Sequence, residues 1–442
     1  MRTDGKWRRM ILAPVIGLLV AAPAAEADGG PQLAVQGNGL AHIGWTGAAG
    51  DRSALFERTR TATGTLSDAQ YVSSASADVT GTADVAVDRS GNALYAWTRS
   101  VYGDSIQVRR RAADGALSAM QTLSPSTRSS SEPDLALDSS GNAVVAWQAI
   151  ESGGGSQIQI RRRSSTGVLG AVQTLSATGN RSIDPDVALD SNGNAVVIWE
   201  RDTLNGSAEV IEARRIASDG TLGPVVPLST GRYVDSPRVG MDANGNAILA
   251  WIDSDGTRSI PKLKRRSAEG AFSATQPLTS SGDARALELA VSPLGAAIAT
   301  WFRVADSYQI VRARRRASDG TLGAVLDLTP ATAGHRCSFP DVAMDPHGNA
   351  VFFWQTTDNF GPQRVQARRR AAGGALSSIE DIAVASGEDD DVRGDVKLDA
   401  NGNAVLAWTH LDVDADANYT VSVQVRRRVP TGELSPIQTV SP

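Results

Sequence analysis

The chain has almost no cysteine, and this scarcity limits the ways in which the fold can be stabilised. Cys337 is the only cysteine among 442 residues. A disulfide within the chain needs two cysteines, so stability must come from packing. The paired Cys-x-x-Cys spacing of structural zinc sites is excluded for the same reason.

Histidine and lysine are also scarce. Only four histidines occur, and no Gly-x-Ser-x-Gly motif accompanies them, so the sequence gives little support for nucleophilic catalysis. Lysine occurs only at positions 6, 262, 264 and 397, so that nearly all of the basic charge is arginine. The formal net charge of −5 argues against broad electrostatic binding to nucleic acid.

One apolar run lies near the start of the chain, at residues 10–20. It is short for a membrane-spanning helix, which needs about 20 apolar residues. Lys6, Arg8 and Arg9 precede it, and Ala25-Glu26-Ala27 follows it. This is the order of a signal peptide. We therefore expect residues 1–27 to be a signal peptide, and the rest to be secreted or cell-surface associated with no membrane span.

What the sequence has in abundance is internal repetition. Residues 186–199 alternate small or polar with aliphatic side chains, turn at Asp190-Ser-Asn-Gly-Asn194, and continue as an apolar run that ends at Trp199. This pattern predicts a β-hairpin, because Asp and Asn cap their own turns and Gly supplies a positive φ. Eight tryptophans, 50 to 54 residues apart, mark the copies: Trp45, Trp97, Trp147, Trp199, Trp251, Trp301, Trp354 and Trp408.

A second module follows each tryptophan. In the second copy, residues 106–111 read as a third strand, Asp114-Gly115 as a turn and residues 117–123 as a fourth strand. Four short strands in each ~50-residue repeat are typical of a β-propeller. We predict an all-β chain whose residues 28–442 form a single β-propeller of eight four-stranded blades. The repeats span about 31–80, 81–131, 132–183, 184–235, 236–285, 286–338, 339–392 and 393–442.

Residues 84–97 (Asp-Val-Ala-Val-Asp-Arg-Ser-Gly-Asn-Ala-Leu-Tyr-Ala-Trp), followed by Ile106-Gln-Val-Arg109 and Asp114-Gly115, resemble an NHL-type propeller repeat. The chain departs from that family where Trp97 replaces the usual Ala-Asp. The resemblance implies that the four strands of each blade run outwards from a central axis. The turns after the first and third strands then share one face, named bottom here, and the remaining connections share the top face.

Two repeated features are interpreted as structural. Each tryptophan ends an apolar strand, where it would fill the gap between blades. The Arg109-Arg110-Arg111 run and its equivalents alternate faces on a strand, which favours a solvated edge or ion pairs with turn carboxylates such as Asp88. The alternative for the arginines is a basic ring on the bottom face that binds an acidic polymer.

The first carboxylate of each copy is the most promising ligand-binding feature. We predict that these residues ring the top mouth of the axial channel, with Gln32 in copy one and Arg238 in copy five interrupting the ring. Each carboxylate caps its own loop in one interpretation, and the ring binds a cation or an amine in the other. The residues are Asp84, Asp134, Asp186, Glu288, Asp341 and Asp395.

A metal site is a second hypothesis. Residues 412–418 alternate carboxylates and resemble a calcium-binding loop, so calcium is the cofactor to consider, although none is certain. His and Cys side chains beside them would suit a transition metal. A solvated acidic loop with incidental histidines is the alternative. The candidate ligands are His335, Cys337, His410, Asp412, Asp414 and Asp416.

These features favour a secreted, non-catalytic binding propeller that takes a glycan, protein or small ligand at its loop-rich top face, where the copies differ most. We expect a monomer without a nucleic-acid partner. The alternatives are a metal-assisted hydrolase or lyase with a top-face site and a structural component of the cell surface.

Overall fold

The computed structural model describes residues 30–441 apart from 77, 102, 126, 204–208, 230–231, 281, 306, 359–360, 385–392 and 414–418. The signal peptide predicted at residues 1–27 lies outside the described residues. The described part of the chain contains 32 strands. Within it, no helix is long and apolar enough to cross a membrane.

The strands fall into eight groups of four, named blade 1 to blade 8 in chain order. The first strands are β1 (Gln32–Val35), β5 (Asp78–Val87), β9 (Ser130–Leu137), β13 (Arg181–Leu189), β17 (Tyr233–Met241), β21 (Ala284–Val291), β25 (His335–Met344) and β29 (Gly394–Leu398). The second strands are β2 (Ala41–Ala49), β6 (Ala93–Ser100), β10 (Ala143–Ile150), β14 (Ala195–Asp202), β18 (Ala247–Ser254), β22 (Ala297–Val304), β26 (Ala350–Asp358) and β30 (Ala404–Val413).

The outer half of each blade contributes two more strands. The third strands are β3 (Arg52–Arg60), β7 (Asp104–Arg111), β11 (Ser156–Arg163), β15 (Glu209–Ile216), β19 (Ser259–Arg266), β23 (Gln309–Arg316), β27 (Arg364–Arg370) and β31 (Tyr419–Arg428). The fourth strands are β4 (Gln70–Tyr71), β8 (Gln121–Thr122), β12 (Leu169–Thr174), β16 (Leu222–Pro227), β20 (Gln276–Pro277), β24 (Leu322–Asp327), β28 (Glu380–Val384) and β32 (Gln438–Thr439).

The blades form a closed ring. Consecutive strands of a blade pair antiparallel, and a single parallel bridge between Ser156 and Arg181 joins blades 3 and 4 into one sheet. The first strand of each blade packs beside the first strand of the next, and β29 packs beside β1. Leu33 and Trp45 of blade 1 share a buried cluster with Val405 of blade 8. The predicted all-β propeller is therefore confirmed, and the ring closes by packing between complete blades.

In six of the eight blades, the turn after the first strand is held by its own aspartate. In blade 2, Asp88 Oδ1 accepts bonds from the amides of Ser90 (2.8 Å) and Asn92 (2.9 Å), and Oδ2 accepts from Asn92 Nδ2 at 2.7 Å. The corresponding turn of blade 3 needs glycine for two reasons. Gly141 has φ +84, and a Cβ there would meet Asp88 Oδ2 at 2.8 Å.

The tryptophans lie between the blades, as predicted. Trp147 of blade 3 is fully buried against Leu94, Ile106 and Val108 of blade 2. Trp408 of blade 8 packs in the same way against blade 7. Burial of a large aromatic ring contributes roughly 4–6 kcal/mol from the apolar area removed from water, which makes these contacts the main apolar link between neighbouring blades.

In six blades the first arginine of the run is structural, and its partners differ from the turn carboxylates that were predicted. Arg109 Nε donates to Ser118 O of its own blade at 2.7 Å, and Nη1 donates to Val72 O of the preceding blade at 3.0 Å. Its partners are thus backbone carbonyls, because the Asp88 carboxylate is occupied by its own turn. The same clamp is made by Arg161, Arg214, Arg314, Arg368 and Arg426.

Blade 5 carries Lys264 at the clamp position, where its ammonium group lies 5.3 Å from the centre of the Phe272 ring. The three N–H donors of a lysine lie on one nitrogen, so they lack the planar spread with which a guanidinium reaches carbonyls on two blades. We predict that Lys264→Arg raises the free energy of unfolding by about 1 kcal/mol, since it adds charge-assisted bonds at a partly exposed site. Urea unfolding measures the difference.

The matched control is Arg214→Lys, which removes the clamp between blades 3 and 4 and should lower stability by a similar amount. A Lys264→Arg protein no more stable than the parent would show that the clamps do not stabilise the ring.

Candidate functional site

The ring of carboxylates predicted from the repeats lies inside the channel wall. Asp84 pairs with Ala96 in the sheet, three residues before the bottom end of β5. Asp186 occupies the same register in β13, opposite Ile198. These two residues therefore sit part-way down their first strands, and Asp395 is the second residue of β29. The sequence pattern located all of these residues on the first strands.

Each of these aspartates bonds to the backbone of the next blade. Asp84 Oδ2 accepts from the amide of Leu135 at 2.7 Å, and Asp134 Oδ2 accepts from Val187 at 2.6 Å. A first strand has one edge that faces the channel, and its N–H groups have no strand partner there. The carboxylate of the preceding blade satisfies one of them. The series continues with Asp186 to Val239, Asp341 to Val396 and Asp395 to Leu33.

Two basic residues replace or neutralise members of the ring. Arg238 of blade 5 makes a bidentate ion pair with Glu288 of blade 6, with N–O distances of 2.8 and 2.6 Å. Lys397 Nζ bonds Asp395 Oδ1. The Arg238–Glu288 pair could have been found from the sequence, because the two residues occupy the same position in adjacent repeats.

Blades 2 to 4 carry three neighbouring carboxylates, Asp84, Asp134 and Asp186, none of which forms an ion pair within the described part of the chain. Burial, followed by the charges of Asp186 and Asp84, raises the pKa of Asp134 well above its usual value. Burial also raises the pKa of Asp186 to about 6, against the opposing charge of Arg238. Asp134 and Asp186 are close enough to share a hydrogen bond, so protonation of this pair relieves their repulsion.

On the other side of the channel, burial raises the pKa of Asp395 to about 7 although Lys397 opposes the shift. The channel wall is thus electrostatically uneven. Carboxyl groups with raised pKa values line blades 2 to 4, and the cations Arg238 and Lys397 lie on blades 5 and 8.

The candidate metal ligands do not come together in the described part of the chain. Cys337 is buried in the core between blades 6 and 7, where its Sγ donates to Gln309 O at 3.5 Å. His335 is buried beside Thr356 Oγ1, and His410 lies on β30 of blade 8. Among the described residues, no three His, Cys, Asp or Glu side chains are arranged to hold a metal ion. The Asp412 side chain, Asp414 and Asp416 lie outside what the structure describes.

A cleft of about 520 Å³ opens on the top face between blades 6 and 7. Its floor comes from the connection between the two blades and its wall from the outer strands of blade 7. The lining residues are Pro330, Thr332, Ala333, His335, Gln366, Ile379 and Asp381.

The polar groups of this cleft form one bonded chain. Trp354 Nε1 donates to Gln366 Oε1 at 3.2 Å, and Gln366 Nε2 donates to Asp381 Oδ1 at 2.8 Å. Arg364 Nη1 donates to Asp381 Oδ2 at 2.7 Å. Both carboxylate oxygens are therefore oriented, while the side chain stays 43 % exposed. Gln366 and Asp381 were not predicted, although aspartate at this fourth-strand position occurs only in blades 6 and 7.

The comparisons with known proteins support the fold. The family described as "Lactonase, 7-bladed beta-propeller" matches residues 53–213, which is less than half of the chain. No curated protein matches the sequence.

Among solved structures, the chain is similar to the BP39L lectin from Burkholderia pseudomallei, with TM-score 0.52 and 10% identity over 81% of this chain and 100% of that one. A puromycin hydrolase gives TM-score 0.51 and 14% identity over 90% and 63% of the two chains. Oligopeptidase B from Leishmania major gives TM-score 0.50 and 10% identity over 87% and 54%. At these identities the likeness shows the propeller fold alone.

The raised pKa of Asp186 predicts a pH-dependent effect on stability. An aspartate whose folded pKa is raised costs stability as the pH rises through that value, because the folded state must ionise a buried group. A shift from 3.8 to about 6 corresponds to roughly 3 kcal/mol, which channel water reduces to about 1 kcal/mol. Asp186→Asn, which keeps the acceptor for Val239, should be more stable than the parent at pH 8 and nearly equal to it at pH 3, below the pKa of an aspartate in the unfolded chain.

Thermal unfolding at the two pH values measures this difference. Asp190→Asn, at a turn carboxylate of the same blade, is the control and should show no such gain at pH 8. An Asp186→Asn effect of equal size at both pH values would contradict the assigned cause.

Proposed function

We propose that this chain is a secreted, non-catalytic binding propeller whose top-face cleft between blades 6 and 7 takes a neutral, polyhydroxylated ligand, that is, a glycan. The observation that carries the proposal is the oriented chain of Gln366, Asp381 and Arg364 at the edge of an open cleft. The volume of about 520 Å³ is in the range of small-molecule sites.

The chemistry of the lining favours an uncharged ligand with several hydroxyl groups. The charges of Arg364 and Asp381 balance each other, so a charged ligand gains little net attraction. Asp381 keeps free lone pairs and Gln366 keeps a second N–H, which together can accept from and donate to neighbouring hydroxyls. Ile379 and Pro330 offer apolar surface for the C–H groups of a sugar ring.

The blades differ at the outer position that lines the cleft, which supports a binding site specific to blade 7. The residues that pair between the third and fourth strands at this level are Phe56 with Tyr71 in blade 1, Gln107 with Thr122 in blade 2 and Gln366 with Asp381 in blade 7. The core of each blade is repeated while this outer position varies. Variation on a constant scaffold is the expected location of binding specificity.

Secretion, a monomeric state and membership of the NHL-type family are also part of the proposal. The predicted signal peptide supports secretion, the whole-repeat blades support a self-contained monomer, and the repeated Val-Ala-Val-Asp pattern supports an NHL-type assignment. A metal-assisted hydrolase has less support, because the Cys337 thiol is used in the core between blades 6 and 7.

Glycan-array screening of the purified protein, followed by titration calorimetry with the best neutral oligosaccharide, tests the proposal. We predict that Gln366→Ala and Asp381→Asn each weaken binding on the order of tenfold, since each leaves ligand hydroxyls without an oriented partner.

The matched control is Asp327→Asn. Asp327 makes the equivalent outer ion pair in blade 6, with Arg312 at 2.7 Å, but does not line the cleft. Its substitution should leave affinity unchanged. The proposal is wrong if no neutral glycan binds, or if Asp327→Asn weakens binding as much as Asp381→Asn.

A further inference from the structure

The bottom face carries arginines that the clamps do not use. The third arginine of each run usually bonds a side chain on the outer strand of the preceding blade. Arg316 Nε donates to Gln276 Oε1 at 3.1 Å, and Arg163 Nε donates to Gln121 Oε1 at 2.7 Å. Arg428 makes a bidentate ion pair with Glu380, with both N–O distances 2.6 Å.

The boundary between blades 6 and 7 lacks this partner. Leu326 pairs with Ala313 in blade 6, at the position that Gln276 and Glu380 occupy in blades 5 and 7. Within the described part of the chain, the Arg370 side chain of blade 7 therefore makes a single hydrogen bond, from Nη1 to Ala371 O at 3.2 Å. Its Nε and the Nε of Arg315 are buried atoms without a hydrogen-bond partner in the described part of the chain, so an approaching anion must bind the terminal Nη groups.

Positive charge accumulates at the same place. Arg315 holds the register of Arg162, whose Nη2 reaches Ala217 O in the bottom turn of the next blade at 2.7 Å. Arg370 holds the register of Arg316, which reaches back to the preceding blade, so the two guanidinium groups are directed to the same blade boundary. Burial and then the charge of Arg315 lower the pKa of Arg370.

The bottom turn of blade 7 reads Ala372-Gly373-Gly374 and contains no carboxylate, whereas blade 6 has Asp319 in its turn. A Cβ at Gly373 would have nothing within 4 Å, so space is open above this turn.

We propose that Arg315 and Arg370 form an anion site on the bottom face that binds carboxylate groups of an acidic polysaccharide. A guanidinium group presents paired N–H donors whose geometry matches a carboxylate. A bound carboxylate also separates the two like charges. The site is independent of the glycan cleft, which lies on the opposite face.

A polymer fits better than a single small anion because similar pairs recur around the rim. The register positions of Arg315 and Arg370 are also held by arginines at other blade boundaries, namely Arg110 with Arg163, Arg265 with Arg316 and Arg427 with Arg60. A chain with regularly spaced carboxylates can engage several pairs, which raises its overall affinity. The recorded cation–π contacts involve Arg232, Lys264 and Arg393, so the described rim arginines have no aromatic platform of the kind that stacks nucleic-acid bases.

Binding of the full chain to immobilised polygalacturonate, measured by biolayer interferometry at low and high salt, tests this inference. The parent should bind, and binding should weaken as salt rises. Leu326→Glu should weaken binding on the order of tenfold, because it gives Arg370 an internal carboxylate like that of Glu380 for Arg428. Double replacement by Arg315→Gln and Arg370→Gln should have at least the same effect.

Leu326→Gln is the control, since glutamine already occupies this position at Gln276 and leaves the positive charge intact. It should keep affinity within about twofold of the parent. Circular dichroism confirms that each variant is folded. The inference is overturned if Leu326→Glu binds as well as the parent, if uncharged dextran binds equally, or if single-stranded DNA binds while polygalacturonate does not.

Discussion

The hydrogen bond from an aspartate of one blade to the backbone amide of the next is the interaction on which the ring depends. A closed propeller leaves one edge of every first strand facing the channel, and unpaired amides there are costly. Asp84, Asp134, Asp186, Asp341 and Asp395 each supply the missing acceptor across a blade boundary. These bonds place several carboxylates together in a narrow buried space, and burial raises the pKa values of several of them.

On the outer side of the ring, arginines satisfy backbone carbonyl groups, just as the aspartates on the inner side satisfy backbone amides. Clamps such as Arg109 satisfy carbonyl oxygens on two blades at once. Acids inside and arginines outside thus fasten neighbouring sheets at both ends of the tryptophan-filled interface. Because these repeated bonds hold the scaffold, the outer rim and the connections are free to vary. The cleft at Gln366 and Asp381 and the unmatched Arg370 both occur where a repeated partner has been replaced.

Much of the fold could be predicted from the sequence, because the period of ~50 residues, the Asp-x-x-Gly-Asn turn and the repeated tryptophans depend on local order and burial. The tryptophans lie inside the second strands, however, and do not end them as predicted. The partners of the repeated aspartates could not. They lie one blade away, and their bonds depend on how the ring closes. The sequence pattern also grouped His335 with Cys337 as metal ligands. Both are buried on one face of β25, and the Cys337 thiol is used in the core between blades 6 and 7. The cleft was missed because its residues come from separate strands of one blade and the preceding connection.

Amide hydrogen exchange at Val187 tests the account most directly. Val187 N–H points to Asp134 Oδ2 at 2.6 Å across the boundary between blades 3 and 4. The account predicts slow exchange at this amide in the parent and exchange at least tenfold faster in Asp134→Ala, since the free edge then has no acceptor. Val396, held by Asp341, should be unchanged. Equal exchange of Val187 in both proteins would contradict the claim that inter-blade carboxylates hold the inner edge of the ring.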